Sequence, residues 1–236
     1  MFGTIASRYD LINHIISFNT DKNWRKKASS ILSVCKPKRI LDVACGTADL
    51  AIALHKSIPE AEITGIDISS EMLKLGNEKI RKGRQISNPN AGLSAPPLQI
   101  ILKEGDAESL EFPSSSFDAV TISFGIRNIR DRKKALWEFH RVLKDRGMLL
   151  VLEFSLPQKG LFSLIYRGYF YTLLPLIGGL ISWNLKAYSY FVKSVRDFPA
   201  PVEFIELLER CGFHIEYTIS LTGGAAWIYL ASKTSE

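Results

Sequence analysis

Along this chain apolar residues gather into short runs separated by polar turns, and the spacing of the runs decides the architecture. From Arg39 onward, β-rich runs at 39–44, 61–66, 98–103, 117–123 and 147–154 alternate with segments of helical periodicity. Each of the first four runs is followed by a turn and then a helix or loop. Strands that alternate with helices in this way predict a mostly parallel, doubly wound α/β sheet. Two further runs, FHIEYTI at 213–219 and AAWIYLA at 225–231, flank a short turn containing Gly223 and Gly224. They predict a closing hairpin that adds an antiparallel member to the sheet. The stretch RKGRQISNPNAGLSAPPLQ, 81–99, is rich in Gly, Pro, Ser and Asn and predicts an exposed loop ahead of the third strand.

Composition narrows the class without changing that picture. The 236 residues are 46% apolar, ample for a large buried core. The opening MFGTIASRYD lacks a basic start followed by an apolar run, so a cytoplasmic location is expected. Cys35, Cys45 and Cys211 are odd in number, far apart and without paired metal spacing, which predicts free thiols and no metal site. The net charge of +6 comes from Lys and Arg spread along the chain, with small clusters at Lys36/Lys38/Arg39 and Arg130/Arg132/Lys133/Lys134. That spread favours a weak preference for anionic surfaces over a dedicated nucleic-acid groove. One segment stands apart: YFYTLLPLIGGLISWNL, 169–185, is nearly uncharged but short for a bilayer span and broken by Pro175 and Gly178/Gly179. It reads as a buried helical lid or a membrane-surface contact rather than a transmembrane helix.

In ILDVACGTADL, 40–50, the first strand ends at Asp42 or Val43 and a helix begins near Ala48. Such a turn lies at the carboxyl edge of a parallel sheet, where the crevice for ligands opens. The GxGxxG pattern of dinucleotide sites is not met, because Ala44 and Ala48 stand where a pyrophosphate needs glycine. A ligand without a pyrophosphate can be held by the Gly46 backbone, the Thr47 hydroxyl and the Asp42 carboxylate. Asp67 ends the second strand 25 residues after Asp42, close to where a carboxylate accepts both hydroxyls of a ribose in such folds. Its alternative task is to cap the next helix together with Ser69 and Ser70. The third strand ends in EGDAESL, where Asp106 can accept from an adenine amino group and the Ala107 amide can donate to a ring nitrogen. The fourth ends in FDAVTISFGIRN, which brings Ser123 and Phe124 to the same edge. Four consecutive strand ends thus offer Gly46/Thr47, Asp67, Asp106/Ala107 and Ser123 to one crevice.

The stretches IASRYDLIN, SF..D..WR, ILDVACGTADL, GIDIS.EML, GDAESLEF, SFDAVTISFGIRNI, KAL.E..RVLK and LLVLEFSLP follow one another along the chain. In their order and spacing the chain resembles the ubiquinone/menaquinone biosynthesis C-methyltransferases over nearly its whole length. LDVACGT is shared by many methyltransferases, whereas RYD.IN, ISFG.RN and LEFS.P together are characteristic of this family. The resemblance implies a class I, Rossmann-like α/β fold: a mostly parallel seven-stranded sheet, a C-terminal antiparallel hairpin, and extra helices forming a substrate lid. It implies a single domain over 1–236, divided into an N-terminal helical substrate cap (1–36), a cofactor core (37–156), an apolar lid (157–200) and a closing helix and hairpin (201–236). It also implies S-adenosyl-L-methionine as co-substrate, with Thr47, Asp67, Asp106, Ala107 and Ser123 as contacts beside the Gly46 turn. The reaction implied is methyl transfer to C2 of a prenylated demethylmenaquinol, with the equivalent step on the ubiquinone pathway, or S-adenosylmethionine-dependent methylation of another phenolic or lipid substrate, as the alternative. Peripheral contact with the inner face of the membrane, a homodimer as a candidate assembly, and no nucleic-acid partner complete the expectation. Departures from the family pattern are visible, among them an 81–99 loop longer than usual. Asn19–Thr20 stands where a glycine more often precedes Asp21, although Asn tolerates the left-handed conformation, and Lys144–Asp145–Arg146–Gly147 replaces a Lys-Pro-Gly-Gly turn.

A sulfonium methyl is already electrophilic, so the chemistry asks for alignment and for exclusion of water. The reduced quinol can attack, because a phenolic oxygen pushes electron density onto the adjacent ring carbon; the oxidised quinone cannot. A base near the phenol helps. His14 in YDLINHII is the histidine candidate, while His55, His140 and His214 fall on elements remote from the motif turns, and no residue is assigned as the base. Tyr9, Asp10, Arg127 and Asn128 are expected to line the crevice, with Arg127 either stabilising a phenolate or pairing with Asp10 or Asp131. Phe162, Tyr166, Tyr169, Phe170, Leu173, Leu176, Ile177 and Trp183 are expected to wall a channel for the prenyl chain.

Overall fold

The computed structural model describes residue 17 and residues 19–87, 99–157, 160–168 and 185–234. Tyr9, Asp10 and His14, residues 88–98 of the expected loop, and the apolar run over 169–184 lie outside the described residues. The elements in chain order are α1 (Thr20–Ser33), β1 (Arg39–Val43), α2 (Asp49–Ser57), β2 (Glu62–Asp67), α3 (Ser70–Ser87), β3 (Ile100–Glu104) and β4 (Phe117–Ser123). After a single 3-10 turn at Ile126–Asn128 come α4 (Arg132–Val142), β5 (Leu143–Phe154), α5 (Gly160–Gly168), α6 (Leu185–Arg196), α7 (Pro201–Arg210), β6 (Phe213–Leu221) and β7 (Ala226–Lys233).

The sheet has seven strands in the order β3-β2-β1-β4-β5-β7-β6. The pairs from β3 through β5 are parallel, and β7 runs antiparallel to both β5 and β6. The expected α/β architecture and the closing hairpin are therefore both present. The central strands are apolar on both faces because each face carries its own core. In β5, Leu150, Leu152 and Phe154 join the core beneath α1 and α2, with Trp24, Leu32 and Leu54. The alternate residues Leu149 and Val151 join the opposite core with Leu136 and Phe139 of α4 and Phe204 of α7. The period-2 alternation of a strand thus serves two layers of helices at once.

Two segments differ from expectation. Residues 81–87 continue α3 rather than opening a loop. Arg81, Lys82, Arg84 and Gln85 are good helix formers, and the single Gly83 among them is tolerated at a cost of about 1 kcal/mol. β5 begins at Leu143, four residues ahead of the expected 147. The Lys144–Gly147 segment is absorbed into the strand as an irregularity: Phe117 pairs with Leu143 but Ala119 pairs with Met148, and Arg146 takes a φ of 57°. At the other departure, Asn19 caps α1 at φ 62°, ψ 8°, the left-handed conformation that asparagine tolerates. β1, β2 and β4 end side by side at Val43, Asp67 and Ser123, which gathers their following turns at one edge.

Candidate active site

The turn after β1 is built from an unusual backbone. Ala44, Gly46 and Ala48 all have positive φ, at 50°, 55° and 67°. For an alanine this conformation costs roughly 1–2 kcal/mol, so the surroundings must enforce it. Cys45 N donates to Ile66 O at 2.9 Å and Ala48 N donates to Cys45 O at 2.9 Å, tying the turn to β2 and to itself. Gly46 has no atom within 4 Å of the place where a Cβ would stand, so the inner side of the turn faces open space.

Around that space lie polar groups left short of partners. The Asp42 Oδ1 accepts from Thr121 Oγ1 across the sheet at 2.8 Å. Its Oδ2 and the Ser123 Oγ are both buried, and neither has a hydrogen-bond partner among the described residues. Burial pushes the Asp42 carboxyl up to about 7, opposed by the Thr121 hydrogen bond and the nearby Arg25 charge. The Asp67 Oδ2 accepts from Gly46 N at 2.9 Å and its Oδ1 from Ser69 N at 2.9 Å. Burial raises its carboxyl too, against those backbone donors. The capping task goes to Ser69, whose Oγ accepts from Met72 N at 3.3 Å. Two bonds leave half of a carboxylate's roughly four lone-pair sites available to a ligand.

Thr47 and Arg25 are set by charges behind the turn. Lys79 Nζ, on α3, donates to Thr47 Oγ1 at 2.7 Å and to Asp49 Oδ1 at 2.6 Å. Arg25, on α1, is buried, pairs with Asp21 one turn earlier, and lies 3.8 Å from Asp49 Oδ2. Its guanidinium sits over the Phe124 ring at 5.1 Å. Phe124 itself is held at φ 56°, and its ring stacks on Phe154 with centroids 4.3 Å apart.

These pieces enclose a cavity of about 400 Å³, within the range of small-molecule sites. Gly46, Thr47, Asp67, Asp106, Ala107 and Ser123 all line it, so the structure brings the six residues expected to contact the cofactor to one place. Asp106 Oδ1 accepts from Glu108 N at 2.9 Å, which stiffens the loop after β3. Asn128 lines the cavity as expected. Arg25 is the residue that sequence reasoning missed. Its signal was the four-residue spacing of Asp and Arg within SF..D..WR, which places an ion pair on one helix face.

Other expectations need correction. Arg127 is not among the residues that line the cavity and does not pair with Asp131, while Asp10 lies outside the described residues. Its Nη1 donates to Glu153 Oε1 at 2.6 Å, with side chains 1% and 0% exposed, and its Nε donates to Ser194 Oγ on α6 at 3.3 Å. Asp131 instead caps α4 by accepting from Lys134 N at 3.0 Å. His55, His140 and His214 sit on α2, α4 and β6, away from the cavity lining. Of the expected channel residues, Tyr166 packs against the core beneath α1, and the side chains of the others lie outside the described residues.

The cavity's residues suit a nucleoside joined to an amino acid: carboxylates for hydroxyls and an ammonium, a guanidinium for a carboxylate, and room beside Gly46. The sequence profile of the ubiE/COQ5 methyltransferase family matches residues 1–233. The demethylmenaquinone methyltransferase of Thermus thermophilus is 44% identical over 233 residues, covering 99% of this chain and 100% of that one. That of Deinococcus radiodurans is 42% identical, covering 99% and 91%. Among solved structures, a putative methyltransferase of Haloferax volcanii, in complex with the activator Trm112, superposes with a TM-score of 0.66 at 12% identity, covering 100% and 98%. A SAM-dependent methyltransferase from Aquifex aeolicus superposes at 0.57 and 17% identity, covering 83% and 81%. At such identities the structures speak for the fold alone, whereas the profile and the sequence relatives speak for the lineage: the chain belongs to the ubiE/COQ5 methyltransferase family.

Proposed function

We propose that this protein transfers a methyl group from S-adenosylmethionine to C2 of the reduced ring of a prenylated demethylmenaquinone. The observation that carries the reading is the unsatisfied polar lining at the ends of β1 and β4. Among the described residues the buried Asp42 Oδ2 and Ser123 Oγ lack partners beside an open Gly46, in a chain 44% identical to a demethylmenaquinone methyltransferase. A buried polar atom without a partner costs about 1–3 kcal/mol, and a ligand that bonds to it removes that cost.

In this reading Asp67 spends its remaining lone pairs on the two ribose hydroxyls. Asp106 accepts from the adenine amino group and the Ala107 amide donates to a ring nitrogen. Asp42 and Arg25 face the ammonium and carboxylate of the amino-acid end, with Thr47 and Ser123 supplying hydroxyls. The co-substrate supplies an activated methyl on sulfur, and the protein's contribution is to align a ring carbon behind it and keep water out. The stacked Phe124 and Phe154 and the close-packed core behind them make that wall rigid. The prenyl tail calls for peripheral contact with a membrane and not a span; among the described residues no helix is long and apolar enough to cross one. A homodimer remains part of the same reading.

The test supplies purified protein with methyl-labelled S-adenosylmethionine and demethylmenaquinone, with and without a reductant. Label is expected in the quinone fraction only under reducing conditions. Tight cofactor binding with no label in either case would overturn the reading. A reduced demethylubiquinone precursor run in parallel decides between the two quinone pathways.

A further inference from the structure

The rim of the cavity carries positive charge that the proposed chemistry leaves unused. Arg130 lines the mouth and is exposed. Lys133 and Lys134 are exposed on the first turn of α4, and Lys193 and Arg196 are exposed on the last turn of α6. These two helix ends meet at one place. Tyr190 Oη of α6 donates to Asn128 Oδ1 of the mouth at 3.3 Å, and the Arg132 guanidinium lies 5.5 Å from the Phe198 ring just beyond α6.

Of the four carboxylates nearby, two are ion-paired and two, Asp131 and Glu108, keep their charge while bonded to backbone amides, so the rim's cations remain in excess. Asp131 accepts from Lys134 N, Glu108 accepts from Asp131 N at 3.0 Å, and Asp197 pairs with Arg196 at 3.0 Å. Glu138, one turn along α4, is bound by Arg141 at 2.7 Å. No carboxylate forms an ion pair with Arg130, Lys133, Lys134 or Lys193 among the described residues. The positive end of the α4 macrodipole points the same way.

We propose that this cationic rim is the surface by which the enzyme lands on an anionic phospholipid bilayer, with the mouth of the cavity turned toward the lipid. The inference rests on the reading of the substrate as a prenylated quinol, which its tail keeps in the membrane. A ring anchored there can reach the cavity only if the mouth faces the bilayer. Attraction to an anionic leaflet fades within a Debye length, about 8 Å at physiological salt, so only charges on the landing face contribute. Lys36, Lys38 and Lys56 lie at the opposite edge, where β1 begins and α2 ends, and are predicted to contribute little.

The experiment compares two triple variants of equal charge change, Lys133→Glu/Lys134→Glu/Lys193→Glu at the rim and Lys36→Glu/Lys38→Glu/Lys56→Glu at the far edge. Sedimentation with phosphatidylcholine vesicles, with and without phosphatidylglycerol, is the first readout. The unmodified protein is expected to bind only the anionic vesicles. The rim variant is expected to bind them at least tenfold more weakly, and the far-edge variant within twofold of the original. Equal losses from both variants, or no binding by the original protein, would overturn the proposal. The second readout is methylation of a long-chain quinol in anionic vesicles against a short-chain quinol in solution; the rim variant should slow only the first. Loss of methylation with both quinols in the unmodified protein would sink the substrate reading, while sedimentation still decides the surface.

Discussion

Two buried polar constellations stand at the same edge of this sheet, and they differ in how completely they are satisfied. Around Arg127 every charge is answered. Glu153 accepts from its guanidinium and, at 3.2 Å, from its backbone amide, while Phe124 O and Ser194 Oγ take further guanidinium hydrogens and the rings of Phe154 and Phe191 lie within 5.4 and 5.1 Å. Around Asp42 the bonding is left open: one carboxylate oxygen and the Ser123 hydroxyl are buried without partners among the described residues. Complete satisfaction is what a structural clamp requires, here between the end of β4, β5 and α6. Incomplete satisfaction in a rigid wall is what a ligand site looks like before its ligand arrives.

The comparison breaks most easily at the clamp. Arg127→Ala leaves Glu153 buried and unpaired, and it is expected to lower unfolding free energy by about 3–5 kcal/mol in urea titrations. Replacing both partners together, as Arg127→Met with Glu153→Leu, should recover most of that loss. A single variant that unfolds within 1 kcal/mol of the original, roughly the effect of an exposed pair, would show that the two constellations are not different in kind.

The cradle's own signature is its response to pH. Burial holds the Asp42 carboxyl up to about 7 in the folded chain, against 3.8 for a free aspartate. The folded chain therefore holds a proton that the unfolded chain releases. The stabilisation is complete below the unfolded value and is lost as pH rises through about 7, a slope worth at most about 4 kcal/mol. Asp67, raised by burial in the same direction, adds to it. Urea midpoints between pH 4 and 7 should fall with rising pH, and Asp42→Asn should flatten most of the slope. Saturating S-adenosylmethionine should flatten it too, because a cation beside Oδ2 favours the ionised form. A slope unchanged by Asp42→Asn would remove the carboxylate from the cradle's account. A smaller effect is expected at Asp67. Asp67→Ala should weaken cofactor binding at least tenfold by calorimetry, about 1.4 kcal/mol or more, with little of the global instability of the Arg127 variant. Unchanged binding would sink the ribose assignment.

Both constellations contain residues of plainly different legibility. The strands were readable because each is a short β-rich run ended by a turn, and strand ends in a parallel sheet must gather at one edge. That alone placed Gly46, Thr47, Asp67, Asp106, Ala107 and Ser123 together. Arg127 was visible as a polar residue in SFGIRN, but its partner Glu153 lies 26 residues on, on the neighbouring strand, and pairing across a sheet leaves no local signal. Asp131, close in sequence, is spent on capping α4. Arg25 reaches the cavity because α1 folds back over α2 and β5; the Asp21–Arg25 spacing reports the ion pair but not that placement. The start of β5 escapes the pattern for a related reason: Leu143 pairs with Phe117 ahead of an irregularity over polar Lys144–Gly147 that the apolar residues do not encode.

The smallest effect sharpens the contrast furthest. Lys79 is satisfied, and its role is to aim a neighbour at the ligand. Its Nζ holds the Thr47 hydroxyl oxygen at 2.7 Å and Asp49 at 2.6 Å, so the Thr47 rotamer is fixed before any ligand binds. The side chain is 36% exposed, and solvent screens the ion pair, so its removal should leave stability nearly unchanged. Lys79→Met is expected to weaken cofactor binding about threefold, roughly 0.6 kcal/mol, while Lys79→Arg retains most of the affinity. In a Thr47→Val background the effect of Lys79→Met should vanish, because the hydroxyl it orients is gone. Persistence of the full threefold effect there would assign Lys79 to Asp49 and the start of α2 instead. Disappearance would mean that Lys79 acts on the ligand through the Thr47 hydroxyl, whereas the Arg127–Glu153 pair serves to hold its own strand ends together.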